Sequence, residues 1–287
     1  MNYILVLIAT ILLAFEFAFS KRYQESEGTS LISGLRFNTL SGFFTAIIFF
    51  ALSGFKLQFS LFSLIMAFLM SLLCMLYSII GFQILRKGNM SLYSLFLMSG
   101  GMLLPYIFGI LFLQEPLTLL RILGILFILA AVYLSNPAKC KLDKSQLILC
   151  VIIFIMNGFV SIISKCHQIN ITFAPVDNTS FVMYSGICKC IISSFALLFC
   201  KSTDTKYSFA TRKSIYIILG AACISGISYT LQLMGAKALP ASVLYPLITG
   251  GSIIFSTLCG KLLFKEKVSK FQIISVALCF IGTCLFL

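Results

Sequence analysis

Apolar and polar positions in this chain segregate into long blocks rather than alternating at short spacing. Ten mainly apolar runs, at roughly 3–20, 31–53, 61–85, 91–113, 117–135, 146–166, 178–200, 214–235, 241–263 and 268–287, are separated by short polar gaps. Each run is close to the about twenty residues needed to cross a bilayer. Backbone in lipid must satisfy its own hydrogen bonds, so the runs predict helices, and the two-residue alternation of a β-barrel is missing. The first run has no basic stretch before it and no small-x-small cleavage site, and it is interrupted by Glu16. It reads as a first span that is kept rather than a signal peptide. The pattern predicts an all-α integral membrane protein with ten transmembrane helices.

The second half of the chain echoes the first. FEFAFSK (15–21) lines up with FVSIISK (159–165), sharing Phe, Ser and Lys but placing Val160 opposite Glu16. SGGMLLPYIFGILFLQEPLTLLRILGILFILAAVYL, from 99, lines up with TGGSIIFSTLCGKLLFKEKVSKFQIISVALCFIGTCLFL, from 249. In that pairing Gly100 and Gly101 meet Gly250 and Gly251, and Glu115 meets Glu266, while Gln83 and Gln232 fall near the same point of the preceding helix. Such self-similarity marks an internal repeat. The expected organisation is a first five-helix repeat at 1–135, a short polar linker at 136–145 and a second five-helix repeat at 146–287. Five is odd, so the copies enter the membrane from opposite sides, which is the inverted-repeat plan of many secondary transporters.

Charge sharpens this picture. Only 10% of the residues are charged, against about a quarter in a soluble domain. The formal net charge is +13, but the basic residues lie mostly in the gaps between apolar runs. That arrangement fits a topology signal and contact with anionic lipid headgroups rather than nucleic acid. The loops after odd-numbered helices hold most of them, and the loops after even-numbered helices hold Lys56, Arg121, Lys165 and Lys237. By the positive-inside rule the odd loops face the cytoplasm and both termini face outside. The 11 cysteines, Cys74 among them, mostly sit within apolar runs without a CxxC pair, and His167 is the single histidine. They read as small hydrophobes, with no metal site and no cofactor.

FLQEPLTLLRILGILFILAAVYL and LFKEKVSKFQIISVALCFIGTCLFL resemble the repeat ends of the drug/metabolite transporter superfamily, EamA branch: a Glu at a helix–helix turn, then a Gly/Ala-dotted last helix. YPLITGGSIIFSTLCGKLLFKEKVS (245–269) is also similar to part of the small multidrug resistance proteins. The resemblance implies a multi-pass carrier in the plasma (inner) membrane, not an enzyme. It would move a small metabolite, an amino acid or related solute, by alternating access, with proton coupling or exchange. The alternative is a lipid-handling flippase or accessory membrane subunit on the same scaffold.

Ionisable groups within spans are the first functional candidates, since each costs several kcal/mol unless paired or hydrated. Glu16 stands near the end of the first run, where it is either a proton-exchanging carboxyl or a structural partner of Lys21 or Arg36. The small multidrug resistance proteins resemble it in carrying a first-helix carboxylate. Lys189 is near the middle of its span, where it either binds a substrate carboxylate or pairs with an acid, and Glu16 is the acid nearest in depth. Arg36 is about two turns into the second span. Tyr77, Gln83, Asn157, Tyr229, Gln232 and Tyr245 need partners in hydrocarbon and mark where a pocket belongs, or else tie helices together. Pro105 and Pro246, with Gly100, Gly101, Gly250 and Gly251, are either hinges or sites of close helix packing. Glu115 and Glu266 are expected to cap the N-terminus of the helix that follows each.

Overall fold

The computed structural model describes residues 2–28, 30–86, 90–135, 144–170, 172–200, 211–265 and 268–286, with backbone alone at 82–86, 90–92 and 135. Among them are ten α-helices and no strand: α1 Asn2–Glu27, α2 Leu31–Leu52, α3 Leu61–Arg86, α4 Met90–Phe112, α5 Leu119–Ser135, α6 Lys144–Ile169, α7 Asn178–Phe199, α8 Arg212–Ala238, α9 Ala241–Phe264 and α10 Lys270–Cys284. Eight are long and apolar enough to cross a membrane. The other two, α5 with 17 residues and α10 with 15, are shorter apolar helices. The linker expected at 136–145 lies outside the described residues up to 143, and its last two residues already belong to α6.

Helix starts follow ordinary capping chemistry, in which a side-chain oxygen satisfies an orphan backbone N–H. Ser30, Asp177 and Thr211 accept from the backbone three residues on in α2, α7 and α8. Ser269 and Gln272 form a reciprocal capping box on α10. The α9 helix begins after Pro240 with no side-chain cap of its own.

The first helix outruns its apolar stretch. It continues through Lys21 to Glu27, because its polar end is held by tertiary contacts. Tyr23 is buried against Phe37, with ring centroids 5.0 Å apart, and packs with Ile217 and Ile218. The Glu27 carboxylate accepts hydrogen bonds from Ser214 Oγ (2.5 Å) and Thr211 Oγ1 (3.3 Å) at the start of α8. Glu16, expected near the end of its helix, therefore lies near the middle of α1. The loss of apolar character after residue 20 marked the edge of the lipid-matched stretch and not the end of the helix.

The packing repeats itself under exchange of each helix for the one five later. The pairs α2–α7, α4–α9 and α5–α10 each join a helix to its own counterpart. The α1 helix packs on α8 and α9, and correspondingly α6 packs on α3 and α4. Two of the self-paired crossings are made by glycines. A Cβ on Gly42 would meet the backbone of Gly186 and Cys190 at 2.8 Å, and one on Gly186 would meet Ala46 N at 2.8 Å. Gly124 and Gly282 likewise face each other's carbonyl oxygens at 3.0 Å. The largest helix contacts thus run between the two halves of the sequence and not within them.

The glycines named as hinge candidates sit at close contacts. A Cβ on Gly100 would land on the Phe154 carbonyl, 2.7 Å from its Cα. One on Gly101 would lie 2.6 Å from Asn157 Nδ2, one on Gly250 2.5 Å from the Thr283 methyl, and one on Gly251 2.9 Å from Thr10. Pro105 and Pro246 are inside α4 and α9, which continue through them.

Candidate functional site

Two side chains of opposite charge lie within electrostatic reach of each other, each near the middle of its helix. Glu16 is near the middle of α1 and Lys189 near the middle of α7, and each is enclosed by protein while keeping some accessible surface. Each is the ion of opposite sign that the other feels. They do not touch: among the described residues no salt bridge within 4.0 Å joins them. Neither Lys21 nor Arg36, the partners considered from the sequence, interacts with Glu16. Lys21 instead lies over the Phe264 ring, 4.3 Å from its centroid, and Arg36 is near Tyr23 at the far end of α1.

The α3 helix supplies the polar side of this cluster. Tyr77 lies one turn from Cys74, Cys74 is within electrostatic reach of Lys189, and Tyr77 is within reach of Glu16. Tyr93 on α4 and Tyr229 on α8 also lie near Cys74. Sequence reasoning missed Cys74, since a cysteine in an apolar run normally packs as a small hydrophobe. Its signal was its place three residues before Tyr77 on one helix face. A variant whose sole cysteine is Cys74 should lose transport on treatment with a small methanethiosulfonate reagent, and bound substrate should slow that loss severalfold. Labelling that proceeds without loss of transport would remove Cys74 from the site.

The remaining polar nominees are committed to holding helices together. Asn157 Nδ2 donates to Leu97 O (2.7 Å), joining α6 to α4. Tyr229 shares a 2.6 Å hydrogen bond with Ser164 Oγ and donates to Met70 Sδ at 3.0 Å, linking α8, α6 and α3. Gln232 donates to Ser228 Oγ (3.2 Å), which donates to Ala9 O of α1 (2.8 Å). Tyr245 donates to Ser161 O at 2.5 Å, joining α9 to α6. Gln83 is a backbone residue of α3 whose side chain lies outside the described residues, as does Glu266 entirely. His167 is fully buried, 2.9 Å from Ser63 Oγ and stacked on Phe181 at 3.7 Å. Among the described residues no group of three or more His, Cys, Asp or Glu side chains converges.

A second polar cluster ties the α8–α9 turn to the rest of the bundle. Glu115 accepts from Ala241 N (2.6 Å) and Ser242 N (2.7 Å), so it caps α9 and not the following helix, α5, as the sequence suggested. The reason is the backbone. Gln114 has φ 55°, and Gly109, whose carbonyl accepts from Glu115 N, leaves room for the carboxylate. This reversal turns Glu115 back across α4, away from α5, and supplies the cap that Pro240 cannot give. Lys265, just before Glu266, has the same left-handed backbone, with φ 52°. Lys165, counted from the sequence as a loop residue, lies inside α6 and is 4% exposed. Its ammonium donates to Ala236 O and Leu239 O, both at 2.6 Å, closing the C-terminus of α8. A depression of about 340 Å³ beside this turn is lined by Glu115, Lys165, Lys237 and Leu239, among others.

Comparison with known proteins agrees with the architecture. The model of the EamA-like transporter family matches residues 144–287, the stretch from α6 to α10. One crystal structure aligns with a TM-score of 0.78 over 99% of this chain and 94% of its own, at 14% identity, which speaks for the fold alone. No curated protein sequence matches the chain. With half of its length matched and its apolar helices in place, the chain belongs to the EamA-like transporter family, multi-pass membrane transporters of the drug/metabolite type.

Proposed function

We propose that the protein is a secondary carrier that moves a small metabolite, an amino acid or related solute, by alternating access. Its binding chamber is the cluster of Glu16, Lys189, Cys74 and Tyr77. One observation carries this reading: two opposite charges, near the middles of the apolar helices α1 and α7, lie within electrostatic reach of each other without a salt bridge. Such charges are expensive in a membrane, and they mark substrate or ion pathways more often than they stabilise a fold. Binding near the midplane between repeats is the plan of inverted-repeat carriers. The first repeat is 1–135 and the second begins with α6 at Lys144.

The packing supports a refinement of the motion. Contacts are densest across the sequence halves, so the bodies that move are α1 with α8 and α9, and α6 with α3 and α4. Pro105 in α4 and Pro246 in α9 take up the bend. The carrier sits in the plasma membrane with its basic, odd-numbered loops in the cytoplasm.

Uptake of labelled amino acids and nucleosides into proteoliposomes, with and without a pH gradient, tests the proposal. Uptake that needs no gradient and is accelerated by substrate on the far side means exchange, and uptake that follows the gradient means proton coupling. If no solute moves under either condition, the carrier reading fails and the lipid-handling alternative gains. In the same assay Glu16→Gln should leave the protein folded but alter the pH profile of transport, because it removes the one carboxyl that faces Lys189 and Tyr77 there. An unaltered profile would make Glu16 a structural partner.

A further inference from the structure

We infer that residues 172–177, between α6 and α7, form a strap docked across the start of α3, and that His167 releases it on taking up a proton. This goes beyond the carrier reading, since it concerns how one face of the bundle is held closed, whatever the cargo.

The strap is fastened to α3 and to the turn before it. Val176 N donates to Ser63 Oγ (3.1 Å), and Asp177 N donates to Gln58 Oε1 (3.1 Å). Tyr184 of α7 donates to Gln58 O, and Phe173 stacks on Phe62 with ring centroids 5.3 Å apart. Between these contacts Ala174 has a left-handed backbone, with φ 39°. A residue with a Cβ adopts that conformation only at a cost, so docking holds the strap in a shape the free chain avoids.

His167 lies directly under the fastening and is fully buried. Its Nε2 is 2.9 Å from the same Ser63 Oγ that holds Val176, and its Nδ1 is 3.1 Å from Gln168 Nε2. The ring stacks on Phe181 at 3.7 Å and on Phe62 at 5.9 Å. A neutral imidazole suits this setting. With Gln168 donating to Nδ1, Nε2–H donates to Ser63 Oγ, whose other lone pair takes the Val176 N–H. An imidazolium does not suit it. Its Nδ1–H would meet an amide nitrogen that is itself a donor, and turning that amide still leaves the charge without a counterion.

No neighbouring element supplies that counterion. Phe62, Ser63, Gln168 and Phe181 are uncharged, and the Tyr184 and Tyr229 phenols and the Cys166 thiol are neutral near pH 7. Lys165 is turned to the α8 carbonyls, and Lys189 is about two turns beyond Phe181 on α7. The Asp177 carboxylate caps the first turn of α7, and Lys56 is exposed. Among the described residues no carboxylate lies within 4.0 Å of the His167 ring. Phenyl faces and the C-terminal end of α6 attract a cation, but by less than it costs to take an unpaired ion out of water. Once the strap is released, His167 titrates as a solvated histidine, at about pH 6.5. The released state then binds more protons than the docked one, so docking is strongest above that pH and weakens as the pH falls below it.

Hydrogen exchange of the Val176 and Asp177 amides in purified full-length protein reads the strap directly, as protection corrected for the intrinsic pH dependence of exchange. From pH 7.5 to 5.5 protection at both amides should fall on the order of tenfold, the linkage of one histidine over that range. The Leu239 amide, bonded to Gly235 O at the end of α8, should keep its protection. His167→Gln retains a neutral hydrogen-bonding side chain and should abolish the pH dependence. His167 is the single histidine, so its imidazole NMR signal in labelled wild type is unambiguous, and it should stay neutral for as long as the amides stay protected. Wild-type protection that ignores pH, or that falls equally at Leu239, would overturn the inference. So would an imidazole that titrates like free histidine while the amides remain protected. None of these outcomes needs the variant to fold, and a folded His167→Gln protein that kept the wild-type pH dependence would overturn the inference as well. No transport is measured, so the result is independent of the carrier proposal.

Discussion

Gly100→Ala is expected to destabilise the protein by on the order of 3 kcal/mol, enough to sharply reduce the folded fraction recovered from membranes. The added methyl would fall on the Phe154 carbonyl group of α6, where all three nearest atoms belong to main chain. Main chain inside a packed helix cannot step aside as a rotamer can, so α4 and α6 would have to separate along a major interface. The repeat supplies its own control. The counterpart, Gly250, faces the Thr283 methyl and the Ile128 side chain instead. Those groups can shift, so Gly250→Ala should cost about 1 kcal/mol. Thermal unfolding of both variants in one detergent measures the difference. Equal losses would mean that the close approach of α4 to α6 is not the limiting contact.

Lys165→Met comes next in expected size. The ammonium is 4% exposed and makes two 2.6 Å hydrogen bonds to carbonyls at the end of α8. Methionine keeps most of the length and apolar packing of the stem but leaves Ala236 O and Leu239 O unsatisfied at a buried helix end. The loss should be about 2–4 kcal/mol, the range for charge-assisted bonds whose partners are left buried. Position adds a functional consequence. Lys165 joins α6 to α8, Tyr245 joins α9 to α6, and Glu115 joins the α4–α5 turn to α9. All of these bonds cross between the two bodies proposed to move, at the same face of the bundle. In the folded fraction that remains, Lys165→Met should favour opening at that face, read as faster labelling of a cysteine placed at Leu239. An unchanged labelling rate would leave Lys165 with a purely structural part.

The sequence carried the helices well and their ends poorly. Long apolar blocks report the thickness of hydrocarbon, so the ten helices could be read directly, eight of them long enough to span it. They say nothing of where a helix stops once outside it, and α1 therefore ran on to Glu27, carrying Glu16 from the margin to the middle. The repeat also singled out Glu115 as a capping residue, because the motif recurs. Its target was misread because the left-handed backbone at Gln114 turns the carboxylate across the bundle to α9. Lys165 carried a readable signal in its match to Lys21, but its charge suggested a loop. Nothing in the sequence announces a pair of backbone carbonyls waiting to hold it.

Among the site candidates, Lys189 and Glu16 stood out because charge in an apolar run is conspicuous, and Tyr77 joined them in space. Asn157, Tyr229, Gln232 and Tyr245 looked equivalent to Tyr77 in sequence. Only their hydrogen bonds to Leu97, Ser164, Ser228 and Ser161 separate them from it. Polar side chains in lipid all need partners, so their presence in a span does not distinguish a tie from a contact surface.

By itself, then, the sequence determined that this chain spans the membrane as helices, that its halves are related, and that a few ions are buried at cost. Those properties follow from local composition and period. The tertiary structure alone decided that the two halves interlock, α1 against α8 and α9 and α6 against α3 and α4, and that Cys74 joins Glu16, Lys189 and Tyr77. Those outcomes depend on which glycine faces which backbone, a long-range matter of shape that no single helix records.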